Sequence, residues 1–505
     1  MKSDRESHLL ALSRLPPPSH PAYACALGLL IAIALILTLR GGTEWDGDDA
    51  LYIMNARNIV LGLPYGNTPY IFNPANPINP TSYPPGFPLL LAPIYWLFGV
   101  SFAKMKVLCI VCFAAFVSIF ARIAVRYVSP GLALAAAAVV GMHPYYWDFK
   151  DTLYSEFPFM FTCYAALLLI DKVQRANDRH LVDIAAAIIA LAAAYLIRAI
   201  GIVVFPAALL SALMISRRAI ALTSALLGCA VLIILIIQRI FPADLGTYVG
   251  YFRDFSLHGV HMALLRYGRV RSTIIGTAVV NRVPVVATCL ELALGLMVLV
   301  GFLAQVLRHR ISVFEMFFIG YSCFLIIYPV TLEPDRYAMP IWPFLFLYAA
   351  SGLAVLMRFV APVGRRIASG AIAAVIVGCY AAQYSAFASV PLIYPIEAPP
   401  SLALFAAIRG QVPTDAVVLT RKPTTIALLT GRRATVWGLN DDDSQLWDYI
   451  TRQRVSYIVQ ERYRVFEANR DPNAVIDGFV ERNEPKLQLV FRNAWYNLYR
   501  VASTS

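Results

Sequence analysis

Between residues 23 and 389 the chain returns repeatedly to apolar runs of bilayer length, and this recurrence restricts its fold more than any other feature. Runs such as "AYACALGLLIAIALILTL" and "AIALTSALLGCAVLIILII" approach the ~20 apolar residues needed to cross ~30 Å of hydrocarbon. With 59% hydrophobic and 14% charged residues in 505, the balance is not that of a soluble domain. The implied class is an all-α polytopic membrane protein. A formal net charge of +12 does not point to nucleic acid, because Lys and Arg form short clusters between apolar runs instead of one basic face. All eight cysteines (25, 109, 112, 163, 229, 289, 323 and 379) fall within apolar segments, so neither a disulfide framework nor a zinc site is expected. The first apolar run follows a basic region but has no small-residue cleavage site before the acidic stretch beyond it; it reads as an uncleaved anchor.

Threading depends on residues 87–100, apolar but interrupted by Pro88 and Pro93. Fourteen residues give only ~21 Å of helix at ~1.5 Å per residue, so the segment reads as a helix lying in the interface. The crossings are then approximately 23–40, 104–124, 131–146, 157–171, 183–200, 202–216, 219–240, 284–306, 312–330, 338–357 and 367–388, about eleven transmembrane helices. With the N-terminus cytoplasmic, the inner loops hold Arg122/Arg126, Lys172/Arg175/Arg179, Arg217/Arg218, Arg308/Arg310 and Arg358/Arg365/Arg366. That is the asymmetry of the positive-inside rule. Arg40, Lys104, Lys106 and Arg239 lie at outer ends against the trend.

The C-terminus then lies outside. Residues 390–505 change composition: "DAVVLT", "RATVW" and "VSYIV" read as short buried strands, alternating with helical "SLALFAAIRG" and "DSQLWDYITRQ". A small C-terminal α/β domain on the outer face is expected, following a membrane domain over 1–389 whose first external loop spans about 41–103.

The unusual polar residues also collect outside. "EWDGDDALYIMNARNIVLG" places Glu44, Asp46, Asp48 and Asp49 directly beyond the first crossing. Carboxylates there can deprotonate a hydroxyl or hold a cation. The plainer reading is a helix starting near Asp48, with acids favoured at its positive end, although capping needs one acid and not a cluster. Asn73 to Pro85, with five prolines and three asparagines, reads as a rigid linker. Glu156 opens an apolar span and by itself reads as a helix-start acid. Arg198, inside "LAAAYLIRAIGIVV", either snorkels or pairs with an intramembrane acid or an anionic lipid head group. Arg336 either pairs locally with Glu333 or Asp335 or clamps a phosphate. The loop at 241–283 reads as an amphipathic lid, with His258 and His261 as metal candidates beside Asp48.

These motifs resemble the GT-C superfamily of multi-span glycosyltransferases, and within it the bacterial branch related to lipid A aminoarabinose transferases and protein O-mannosyltransferases. The resemblance rests on Asp48-Asp49-x-x-Tyr52 with Ala56-Arg57-Asn58 and Gly62, and on Tyr83-Pro84-Pro85-Gly86 followed by Leu89 to Gly99. Ser155-Glu156, Arg198-x-x-Gly201 and Arg336-Tyr337-x-x-Pro340 follow in order. It implies inverting transfer of a sugar, hexosyl or pentosyl, from a polyprenyl-phosphate donor to a lipid, glycan or protein acceptor. The enzyme would sit among membrane lipids in the inner membrane, with its active site on the periplasmic side. By the same resemblance Asp48 is the catalytic carboxylate and Asp49 its neighbour. Arg336 and Arg198 are candidates for the donor phosphate; Tyr52, Tyr83 and Glu156 line the substrate. The one cofactor it suggests is a divalent metal ion. Where aminoarabinose transferases carry an acidic–basic pair before the two prolines, the acid binding metal, this chain has Ser82 and Tyr83. The competing reading is a transporter or flippase for a lipid-linked or polar solute, against which the chain shows no internal repeat.

Overall fold

The computed structural model describes residues 21–43, 47–74, 78–176, 180–244, 260–261, 263, 270, 273–308, 311–327, 334–388, 395–438, 442–462 and 473–502. The helices of the apolar region are α1 (Pro21–Leu37), α2 (Gly47–Leu61), α3 (Gly86–Phe98), α4 (Phe102–Ala124), α5 (Pro130–Gly141), α6 (Pro144–Phe149), α7 (Glu156–Arg175) and α8 (Leu181–Ile197). They continue with α9 (Val204–Leu213), α10 (Arg217–Ile240), α11 (Thr277–Arg282), α12 (Pro284–Arg308), α13 (Val313–Ile327), α14 (Pro334–Ala338), α15 (Trp342–Leu356) and α16 (Pro362–Ala388). Five described helices, α4, α10, α12, α15 with its 3₁₀ extension, and α16, are long and apolar enough to cross a membrane. The other six expected crossings fall on α1, α5, α7, α8, α9 and α13. The crossing expected over 131–146 is instead two helices, because Pro144 disfavours helix at the preceding residue. His143 accordingly adopts an extended backbone and caps α6, its Nδ1 accepting the Tyr145 N–H at 3.2 Å.

The interior is built around α4. Phe113, Phe116 and Phe120 recur at helical spacing and meet Tyr146, Phe157 and Tyr164 from α6 and α7. Most of the cations expected at outer ends against the charge trend are satisfied locally. Arg40 reaches Asp151 at 2.6 Å and Asp148 at 2.5 Å. The buried Lys106 donates to the Gly42 carbonyl at 2.7 Å, and Lys104 lies over the Phe98 ring. Trp96, Leu97 and Phe98 of α3 remain exposed.

The C-terminal segment contributes α17 (Pro399–Gln411), β1 (Val417–Leu419), α18 (Pro423–Thr430), β2 (Arg433–Thr435), α19 (Asp443–Gln453), β3 (Val455–Glu461), α20 (Ala474–Arg482), β4 (Leu487–Arg492) and β5 (Tyr496–Val501). The strands form one mixed sheet in the order β2-β1-β3-β5-β4, with β1 parallel to β2 and β3 and the remaining pairs antiparallel. Alternation decides which face each side chain joins. Val418 packs into the large core, whereas Val417 and Leu419 pack with Leu446 and Phe479 from α19 and α20.

This sheet is physically continuous with the first loop. The Ile71 N–H donates to the Ala434 carbonyl at 2.8 Å, and the Ala434 N–H donates to the Pro69 carbonyl at 3.1 Å. Residues 69–71 therefore extend the β2 edge, α18 packs on α2, and Glu397 accepts the Thr43 N–H at 2.8 Å. Pairing also covers an edge that would otherwise stand open.

Candidate active site

Six side chains from five separate parts of the chain converge at one end of α7. Helix α2 starts at Gly47, so Asp48 and Asp49 occupy its first turn, where the helix dipole favours carboxylates. Asp48 Oδ1 accepts the Tyr83 hydroxyl at 2.5 Å, and its Oδ2 accepts Arg336 Nη1 at 3.1 Å. Arg336 Nε donates to Glu156 Oε1, and Arg198 Nη1 donates to the same oxygen. Arg198 Nη1 also lies 3.2 Å from Ser155 Oγ, which is 3.3 Å from the Tyr52 hydroxyl. The Tyr52 ring sits 4.5 Å from that of Tyr83 and meets Phe87 edge-on at 4.8 Å.

The result is an alternating chain of charge, Asp48–Arg336–Glu156–Arg198, formally neutral and largely withdrawn from water. Glu156 is buried, its side chain 1% exposed, whereas that of Asp48 is 14% exposed and open to an incoming group. Each guanidinium also faces an aromatic ring, Arg336 over Tyr154 at 3.7 Å and Arg198 over Tyr337 at 5.4 Å. Burial, reinforced by the charge of Asp48, pushes the Tyr52 hydroxyl well above the ordinary tyrosine range, so it stays protonated. Glu156 Oε2 has no hydrogen-bond partner and is an acceptor left open inside the cluster.

Two breaks in regular structure make this convergence possible. Helix α8 ends at Ile197, and Arg198 takes extended angles (φ −145°, ψ 128°) before a 3₁₀ turn over Ala199–Val203. The arginine thus projects from a gap between two helices, which is where a charge at membrane depth is tolerated. Gly86 opens α3 directly against that gap. A Cβ there would stand 2.5 Å from the Leu196 carbonyl carbon, part of the backbone. Gly86→Ala is therefore expected to force α3 from α8 at a cost of about 1–3 kcal/mol, read as a lower unfolding midpoint in detergent. The Tyr65 hydroxyl fixes the linker by donating to the Tyr83 carbonyl at 2.9 Å. Tyr83→Phe removes a short hydrogen bond to a carboxylate, and a loss of about tenfold or more in turnover is expected, with the fold kept.

Asp48, Tyr52, Tyr83, Glu156, Arg198 and Arg336 are thus brought together. Asp49 is buried beside them, its Oδ1 accepting the Ala50 N–H at 2.6 Å, within electrostatic reach of Lys106. His258 lies outside the described residues, and His261 is exposed. Among the described residues no three His, Cys, Asp or Glu side chains gather around a common point. Both Asp48 oxygens are already engaged, one by a cation, so the donor set at this site does not fit a divalent metal. Sequence reasoning missed Tyr154, because an aromatic ring before a span carries no local signal of what it faces, and it read Lys106 only as a cation against the charge trend.

Residues 82–240 match the sequence model of the family described as dolichyl-phosphate-mannose-protein mannosyltransferase. No curated protein sequence matches the chain. Among solved structures, ArnT from Cupriavidus metallidurans bound to undecaprenyl phosphate is 12% identical with a TM-score of 0.58, covering 95% of this chain and 98% of that one. The Archaeoglobus fulgidus oligosaccharyltransferase AglB, in complex with an inhibitory peptide and a dolichol-phosphate, is 13% identical with a TM-score of 0.62 over 87% and 69% of the respective chains. The arabinofuranosyltransferase AftD from Mycobacteria is 15% identical with a TM-score of 0.57, covering 96% of this chain and 42% of that protein. Such identities speak for architecture alone, but the architecture is shared almost from end to end with ArnT and coincides with a family match through the middle of the chain. On that ground the chain has the fold of these membrane glycosyltransferases, and its residues 82–240 match the mannosyltransferase family model.

Proposed function

We propose that this protein is a membrane glycosyltransferase that moves a sugar from a polyprenyl-phosphate donor to an acceptor hydroxyl, with inversion at the anomeric carbon. The observation that carries the reading is the Asp48–Arg336 pair, a part-exposed carboxylate 3.1 Å from a guanidinium held from behind by Glu156. In this reading Arg336, aided by Arg198, takes the donor phosphate and Asp48 turns to the acceptor. The acceptor oxygen attacks the anomeric carbon and its proton passes to the Asp48 carboxylate. The bond from that carbon to the phosphate oxygen breaks, and polyprenyl phosphate leaves with the electron pair, its new charge met by the arginines. Inversion follows because attack and departure take opposite faces of one carbon. Asp49 supports the turn that carries Asp48, Tyr83 and Tyr52 form the wall beside the sugar, and Glu156 acts behind them by holding the two arginines that face the donor. No step is routed through a metal.

The lipid phosphates named for ArnT and AglB, undecaprenyl phosphate and a dolichol-phosphate, support the donor class. The proposed organisation is a membrane domain over 1–389, with about eleven crossings, its first external loop at about 41–103 carrying Asp48. Residues 390–505 form the α/β domain on the outer face of the inner membrane, and the N-terminus is cytoplasmic. The acceptor is a lipid, a glycan or a protein.

The test is release of polyprenyl phosphate by purified protein in lipid, given a panel of polyprenyl-phosphate sugars and acceptors. Wild type should release it, and Arg336→Ala should lower the rate by about 10²–10³-fold. Movement of a lipid-linked sugar across vesicles without a glycosidic product would instead make the protein a transporter.

A further inference from the structure

Arg336 is restrained in two directions. Glu156 accepts its Nε and Asp48 accepts its Nη1 at 3.1 Å, both carboxylates meeting the guanidinium along its N–H edge. Contacts along an edge leave the plane able to tilt about the line that joins them. Tyr154 closes that freedom on one face, its ring centroid 3.7 Å from the guanidinium carbon. Arg198 stands farther from its ring, 5.4 Å from the Tyr337 centroid and close to the ~6 Å limit of such contacts.

The supporting ring is itself fixed. Tyr154 is buried between the buried Leu153 and Ser155, packs 5.5 Å from the Phe149 ring, and accepts the Cys109 thiol of α4 on its carbonyl at 3.7 Å. It stands two residues before Glu156, so one buried segment supplies both the ring and a carboxylate that hold Arg336. Charge explains why a ring belongs there. Asp48 and Glu156 already balance Arg198 and Arg336, and a third carboxylate would cancel the charge that a phosphate needs. An aromatic face attracts a cation through its quadrupole while carrying no net charge. That attraction is largest where water is excluded, and the Arg336 side chain is only 10% exposed.

We propose that Tyr154 is a positioning residue for sugar transfer: its ring face keeps the Arg336 guanidinium directed at the donor phosphate once Asp48 turns to the acceptor. The role rests on the transfer reaction proposed for this site. In that reaction Arg336 gives up its Asp48 contact as the acceptor arrives, and the ring and Glu156 remain to hold it.

The test uses full-length protein in lipid, with Tyr154→Phe as the reference and mono-, di- and trifluorophenylalanine placed at position 154 in turn. Fluorine drains the negative ring face with little change of size, so packing is kept while the attraction is titrated away. Turnover at saturating donor should fall stepwise from Tyr154→Phe to the trifluorinated ring, about tenfold in all, or about 1.4 kcal/mol. The donor KM should stay within about twofold, as for a contact that matters in the transition state. Tyr154→Leu should lose the turnover that Tyr154→Phe retains. Unfolding midpoints are read on the same proteins. Turnover that stays flat across the series in an active enzyme overturns the positioning role and leaves the transfer reaction standing; a midpoint that alone falls makes the ring a support of the fold only. Wild type that forms no glycosidic product from any donor overturns the transfer reaction, and the role falls with it.

Discussion

Asp48→Asn is expected to reduce release of polyprenyl phosphate by about 10²–10⁴-fold, the range for loss of a positioned general base. The substitution is nearly isosteric, so the amide still accepts the Tyr83 hydroxyl and Arg336 remains anchored by Glu156. What disappears is the ability to take a proton and the charge that faces Arg336. The measurement is initial-rate release with the preferred donor, alongside an unfolding curve to show that the variant is folded. A folded Asp48→Asn protein within about threefold of wild type would remove Asp48 from the chemistry and redirect attention to Asp49.

Glu156→Gln carries the second large effect, on stability as much as on activity. Among the described residues Glu156 is the one carboxylate touching both Arg198 and Arg336, and all three side chains are largely withdrawn from water. Removing one member of a buried ionic group strands the others, at a typical cost of 3–5 kcal/mol. The unfolding midpoint in detergent should fall accordingly. Adding Arg198→Gln should recover part of the loss, because one of the two cations that lost the Glu156 charge is then gone. If Glu156→Gln lowers stability by less than about 1 kcal/mol, Glu156 does not hold the two arginines in the manner described. The double variant separates this positioning role from direct contact with substrate, since it should regain stability without regaining turnover.

Part of the site was legible in the sequence because some of its residues break a local rule, while Tyr52, Tyr83 and the role of Asp48 came from the family resemblance. An acid cluster beyond a span, an arginine within one and a proline pair before a short apolar helix are all costly unless they serve a purpose. Their partners were not legible. Read locally, Glu156 is a helix-start acid and Arg198 snorkels; instead Arg198 crosses to Glu156, and Arg336 crosses 180 residues to Glu156 and 288 to Asp48. The docking of residues 69–71 on β2 was equally hidden, since so short a segment has no strand periodicity until an edge is offered to it.

Sequence alone determined what depends on short-range physics: roughly where the apolar helices fall, since bilayer thickness and backbone hydrogen bonding set length and polarity, and the short apolar runs that form the buried strands β1 and β3. Tertiary structure alone decided which charges meet. Ion pairing acts between groups brought close by the path of the whole chain, and no window of sequence contains both Glu156 and Arg336.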